Sequence, residues 1–99
     1  MFLGLWLGLV AGCTWVKLSP EGQRVALVPA GVADNCREIG KTTVSVLADV
    51  KGIQRSRDKV ARELLILGRN SAAEMGGDTI VAVTEVMDGD QTFTVYRCR

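Results

Sequence analysis

A single amphipathic helix between two β-rich regions most constrains how this chain of 99 residues folds. From Ser56 onward, apolar residues recur at steps of three and four, which predicts a helix with one face in a core. Ser56 is the candidate N-cap, because its hydroxyl can accept a backbone N–H of the first turn, and Gly76 with Gly77 ends the helix. The predicted buried stripe comprises Val60, Ala61, Leu64, Leu65, Leu67, Gly68, Ala72 and Met75.

Four segments of apolar and β-branched residues flank this helix and favour strands, since such side chains suit a half-buried pleated surface. The segments are residues 23–28, 41–48, 78–86 and 91–98. Asp88 and Gly89 supply the positive backbone angles of a hairpin turn between the last two. Residues 30–40 fit either a helical turn or a loop, and residues 49–55 read as a loop. The order β-β-α-β-β predicts a small two-layer α+β sandwich, with one helix on a four-stranded, mostly antiparallel sheet.

The first ten residues form a charge-free apolar run that leads to Cys13. The run is shorter than the about 20 residues of a spanning helix, and its length is typical of a signal-peptide core. The small Ala11-Gly12 pair before Cys13 resembles the bacterial lipobox, which implies removal of residues 1–12 and attachment of lipid to Cys13. The alternative is an amino-terminal helix packed on the domain. That helix would place three large side chains in the core, those of Phe2, Trp6 and Leu9.

The lipobox interpretation divides the chain into three parts: a signal peptide over residues 1–12, a lipidated cysteine with a short tether over 13–20, and one periplasmic domain over 21–99. Thr14 follows the cysteine where Asp would signal inner-membrane retention. By resemblance to bacterial lipoprotein sorting, this favours anchoring on the periplasmic face of the outer membrane.

The two remaining cysteines, Cys36 and Cys98, form an even pair in a compartment where disulfides persist. We predict a structural bridge between them. A redox function of the pair and two unpaired thiols are the alternatives, although the pair lacks the Cys-x-x-Cys spacing of redox motifs.

The charge composition excludes several classes of function. The chain carries 12 basic and 11 acidic residues, a net charge of +1, whereas a nucleic-acid binder is normally distinctly basic. It contains no histidine, the commonest general base and metal ligand. Asp88 and Asp90 flank a glycine, but a complete Ca²⁺ loop needs more ligands than these two. We therefore predict no catalytic residues, no metal and no cofactor.

Residues 72–81 read AAEMGGDTIV before the hairpin, and residues 96–98 close the chain with Tyr-Arg-Cys. Together with the lipobox, these motifs resemble small gammaproteobacterial envelope lipoproteins of unknown function that are related to RcsF, an outer-membrane lipoprotein that senses envelope damage. The resemblance implies a place in the envelope and the α+β fold.

We expect a lipoprotein without enzymatic activity that acts by binding, with a sensing or accessory role in the envelope. A periplasmic enzyme or small-ligand binder and a purely structural lipoprotein are the alternatives. The candidate surface for an envelope protein partner is a group of basic residues around the start of the helix: Lys51, Arg55, Arg57, Lys59 and Arg62.

Overall fold

The computed structural model describes residues 16–50 and 52–99. The leader, Cys13 and Lys51 therefore lie outside the described residues. A 3-10 turn over Gly22–Arg24 precedes six strands and one long helix. In chain order these are β1 (Ala26–Leu27), β2 (Arg37–Ser45), β3 (Asp49–Val50), β4 (Ile53–Gln54), α1 (Arg57–Glu74), β5 (Thr79–Ala82) and β6 (Asp90–Arg97).

Four of the strands form one mixed sheet in the order β1-β5-β6-β2. β6 pairs antiparallel with both β5 and β2, and β1 pairs parallel with β5. β3 and β4 form a separate two-stranded hairpin. The predicted α+β class, with one helix on a four-stranded sheet, is confirmed.

The core lies between α1 and one face of the sheet. Phe93 and Val95 of β6 and Ile80 of β5 point to this face and are fully buried. The ring of Phe93 passes so close to Gly68 of α1 that an added Cβ would lie 2.6 Å from its Cε2 atom. The buried residues of the helix are Val60, Leu64, Gly68 and Ala72, which confirms these four members of the predicted stripe, whereas Met75 is 36% exposed.

Part of the opposite face of the sheet is also covered. By strand register, Thr79, Val81 and Thr94 lie on that face, and all three are buried. β1 and β2 occupy opposite edges of the sheet, so residues 28–36 between them must cross it. Ala33 in this crossing is buried as well. We infer that the crossing covers the second face.

Strand boundaries differ from the sequence prediction wherever pairing across the sheet decides them. The first strand shrinks to Ala26–Leu27 because a 3-10 turn occupies the residues before it. β2 begins at Arg37, inside the segment that local sequence left undecided. β5 ends at Ala82, after which the N–H groups of Val83 and Thr84 share the carbonyl of Thr92 and the regular pairing stops.

Two local predictions concern the turn and the helix cap. Asp88 and Gly89 have φ values of 52° and 80°, which confirms the hairpin turn. Ser56 occupies the N-cap position, but its side chain makes no capping hydrogen bond, so that part of the prediction is wrong.

Residues 49–55 contain the β3–β4 hairpin and not only a loop. Within the described residues, no helix has the length and apolar character that crossing a membrane requires.

Candidate binding site at the tip of the domain

The predicted basic surface lies at one end of the sheet, around the β3–β4 hairpin and the first turns of α1. Arg55 is not a free charge there. Its Nη1 donates to the carbonyl of Leu47 at 2.9 Å and its Nη2 to Oε2 of Glu63 at 2.7 Å, and its side chain is 21% exposed. Arg57, Lys59 and Arg62 are exposed. The structure thus leaves three of the described basic residues available to a partner and assigns Arg55 to holding the loop on the helix.

Large apolar side chains are exposed at the same end of the domain, a feature that the sequence did not reveal. Leu47 is 68% exposed, Ile53 73% and Met87 65%. Two adjoining depressions, of about 540 and 660 Å³, share Ala48, Gln54 and Asp88 in their walls. We refer to residues 46–49, 52–55 and 85–88, which line these depressions or adjoin them, as the tip. A cluster of exposed apolar residues with a polar rim is the pattern of a protein-binding surface.

Short backbone contacts hold the segments of the tip together. The Val46 N–H donates to the carbonyl of Gly89 at 2.8 Å, and the Arg55 N–H donates to the carbonyl of Ala48 at 2.8 Å. An added Cβ at Gly89 would collide with the Val46 carbonyl, so the turn can approach this closely only with glycine. The exposed apolar side chains are therefore carried by an ordered frame.

The disulfide lies at the other end of the sheet. Cys36 and Cys98 are bonded, with a sequence separation of 62 residues and a Cα–Cα distance of 4.6 Å. This confirms the predicted bridge, which joins the segment before β2 to the segment after β6. β6 runs between the two ends and spans about 23 Å at 3.3 Å per residue. The tip and the disulfide end are thus well separated.

Asp78 organises the chain around the disulfide. Its Oδ1 accepts the Cys98 N–H at 2.8 Å and its Oδ2 accepts the Arg99 N–H at 3.0 Å, while the Thr79 hydroxyl donates to Oδ1 at 2.9 Å. Burial by itself raises the pKa of Asp78. The two backbone N–H groups, the Thr79 hydroxyl and the charge of Arg99 outweigh burial, so the pKa is lowered.

Replacing Asp78→Asn should lower the free energy of unfolding by about 1–2 kcal/mol at neutral pH, because two charge-assisted hydrogen bonds lose their carboxylate. The folded-state pKa lies below the ordinary value of 3.8, so the unfolded chain binds the proton more readily. The contribution is therefore complete above the unfolded pKa and disappears as pH falls through the folded pKa. Urea titrations of both proteins should converge in acid; a constant difference at every pH would contradict the prediction.

The amino-terminal segment is fixed to the helix near the disulfide end. Asn70 Nδ2 donates to the Lys17 carbonyl at 2.7 Å, and the Ser19 N–H donates to Asn70 Oδ1 at 2.8 Å. Arg99 Nη2 donates to the carbonyl of Arg24 at 2.9 Å, which joins the 3-10 turn to the carboxyl terminus. The chain therefore enters the domain on the side away from the tip.

The described residues contain no group of three or more His, Cys, Asp or Glu side chains placed to hold a metal. Asp88 and Asp90 lie in and after the hairpin turn, where the Asp90 N–H donates to the Met87 carbonyl at 2.9 Å and the Asp90 carbonyl accepts the Met87 N–H. Their part in the structure is to form the turn.

The fold and its two ends define a small disulfide-bonded α+β domain with an exposed apolar tip next to the basic residues at the start of α1. Residues 16–98 match the domain of unknown function DUF4156, and the chain belongs to that family. No curated protein and no solved structure matches the chain significantly.

Proposed function

We propose that this protein is a lipid-anchored lipoprotein on the periplasmic face of the outer membrane, and that it binds an envelope protein through the tip. The apolar leader, Cys13 and Thr14 support the anchor. The observation that carries the binding role is the set of exposed apolar side chains at the tip, Leu47, Ile53 and Met87, next to the free charges of Arg57 and Lys59. The tip also carries the exposed carboxylates of Asp49, Glu85 and Asp88, so such a surface suits an apolar patch with a rim of both charges.

The position of the tip relative to the anchor supports the same role. Val16 is the third residue after Cys13, so that the two lie within about 10 Å of each other even in an extended chain. Residues 17–19 are held on Asn70, near the disulfide end. A lipid on Cys13 would keep this end beside the membrane and direct the tip into the periplasm, where a partner can reach it.

We include in this proposal a relation to RcsF and an envelope-sensing or accessory role. The signal would be the binding of a partner at the tip. A small-ligand binder or enzyme is a second candidate, and the depression of about 540 Å³ at the tip is the observation that favours it. A purely structural lipoprotein would use neither the exposed apolar side chains of the tip nor the depression.

Crosslinking in cells tests the binding role. A photo-reactive amino acid at Met87 should give one discrete crosslinked protein, whereas the same group at Thr43, exposed on β2, should give none. Leu47→Asp with Ile53→Asp should lower a crosslink from Met87 about tenfold or more, because burial of each apolar side chain contributes roughly 1.5–3 kcal/mol. Equal labelling from Met87 and Thr43 would count against the tip.

The anchor is tested separately by the intact mass and the membrane fraction of the protein expressed with its own leader. We expect a mass that corresponds to cleavage before Cys13 plus the lipid, and recovery in the outer membrane. Cys13→Ala should keep the leader and lose the lipid. A retained leader with a free Cys13 thiol in the unchanged protein would refute the anchor and leave the tip result standing.

A further inference from the structure

A shallow groove of about 670 Å³ at the disulfide end contains three arginines. Its walls include Arg24 at the end of the 3-10 turn, Arg97 at the end of β6 and Arg99 two residues later, together with Gly76 and Gly77. The groove also contains Glu21 and Asp78, which the arginines outnumber. We call this set the arginine groove.

Strand pairing places a fourth arginine next to the groove. Arg37 of β2 is directly opposite Arg97 of β6 in the register. Like charges at directly opposite positions destabilise a sheet. Within the described residues, neither of these two side chains nor that of Arg24 takes part in an ion pair. The fold therefore concentrates positive charge here, and the one ion pair of the groove joins Arg99 to Asp78 at 3.7 Å.

Apart from the Glu21 carboxylate, the nearby acceptors are already used. Both oxygens of Asp78 accept backbone N–H groups of the carboxyl terminus. The carbonyls at the end of α1 accept from the residues that follow them: Ala72 accepts the Gly77 N–H at 2.8 Å, and Ala73 accepts the Gly76 N–H at 3.0 Å. Arg24 and Arg97 thus have donors left for an anion from outside the domain, and a guanidinium is well suited to a phosphate.

The groove also lies where the chain enters the domain. Arg24 ends the 3-10 turn that begins at Gly22, and the Gly22 N–H donates to the Ser19 hydroxyl at 2.9 Å. Ser19 in turn is bonded to Asn70. From Val16, about 10 Å of extended chain reaches Cys13.

We propose that the arginine groove binds the phosphate groups of anionic phospholipids in the membrane that holds the Cys13 lipid. This inference rests on the proposed anchor. Binding fixes the orientation of the domain on the membrane, with β6 rising from the surface and the tip presented about 23 Å away from it. The groove and the lipid thus supply two contacts, and basic residues beside a lipid anchor strengthen membrane attachment.

Arginine modification by phenylglyoxal tests the inference. Acylated protein, checked by intact mass so that failure of the anchor is seen separately, is reconstituted into phosphatidylcholine vesicles with and without phosphatidylglycerol. Arg24 and Arg97 should react about fivefold more slowly on the anionic vesicles, as expected for the attraction of one basic residue to such a surface. Arg57 at the far end is the internal control and should react equally on both. In 1 M salt, where the Debye length is about 3 Å, the difference should vanish.

A pair of double variants separates the groove from general surface charge. In the first double variant, Arg24→Gln with Arg97→Gln, Arg99 should react equally fast on both kinds of vesicle. In the second, Arg57→Gln with Arg62→Gln, which removes the same charge, Arg99 should still react more slowly on the anionic vesicles. Equal reaction of Arg24 and Arg97 on the two kinds of vesicle would overturn the inference. Equal protection of Arg24 and Arg97 by inorganic phosphate on neutral vesicles would also overturn the inference, since the groove would then be a site for free anions.

Discussion

Replacing Cys36→Ala together with Cys98→Ala is expected to lower the free energy of unfolding by about 4 kcal/mol. The bridge spans 62 residues, and in the chain-entropy model a loop of this length restricts the unfolded chain by about that amount. For a domain of this size, this is a large share of the total stability. Urea titration of oxidised protein measures the change. Wild-type protein reduced with dithiothreitol should lose a similar amount.

Loss of the disulfide is also expected to weaken contacts in the native state. The bridge closes the end of the sheet at which Arg37 and Arg97 face each other, so it holds together two strand ends that repel. It also keeps the Cys98 N–H on Asp78. In protein expressed without residues 1–12, Cys13→Ala retains the bridge and is the matched control, with an expected change below about 0.5 kcal/mol. A loss of less than 1 kcal/mol in the double variant would show that packing alone holds this end.

The parts of the fold that follow from local sequence were predictable. The stripe of α1 and the Asp88-Gly89 turn are encoded by spacing and by backbone preference, and both form as expected. β1 is different, because it exists through its parallel pairing with β5. The Ala26 N–H donates to the carbonyl of Asp78 and the Val28 N–H to that of Ile80, more than 50 residues away. No local pattern carries that information.

The same distinction applies to the candidate sites. The basic residues near the start of α1 are adjacent in sequence, so their clustering was visible, but the ion pair that engages Arg55 depends on where Glu63 lies after folding. The apolar surface of the tip could not be predicted, because Leu47 and Ile53 are residue types typical of a core. Only the folded structure shows that both side chains are exposed. The arginine groove joins residues from the two termini of the domain and appears only in three dimensions.

The second large effect is expected from Phe93→Ala, which should lower the free energy of unfolding by about 3–5 kcal/mol. Phe93 is 1% exposed and is the largest of the fully buried side chains between β6 and α1. Its removal leaves a cavity that the paired strands on both sides of β6 cannot close. Thr92→Ala, on the other face of the same strand, is the control and should cost far less. A loss below 2 kcal/mol for Phe93→Ala would mean that the helix collapses onto the sheet.

The close approach of Phe93 to Gly68 gives a sharper form of this prediction. Gly68→Ala alone should destabilise the protein by about 1–2 kcal/mol, because overpacking against the ring exceeds the helix propensity of about 1 kcal/mol that alanine adds. In a Phe93→Leu background the ring is absent, so the same substitution should be neutral or stabilising. The double-mutant cycle should then show a coupling of at least about 1 kcal/mol. Additive effects would mean that α1 shifts away from the sheet to admit the methyl group, and the helix would be less tightly fixed than the contact at Gly68 indicates.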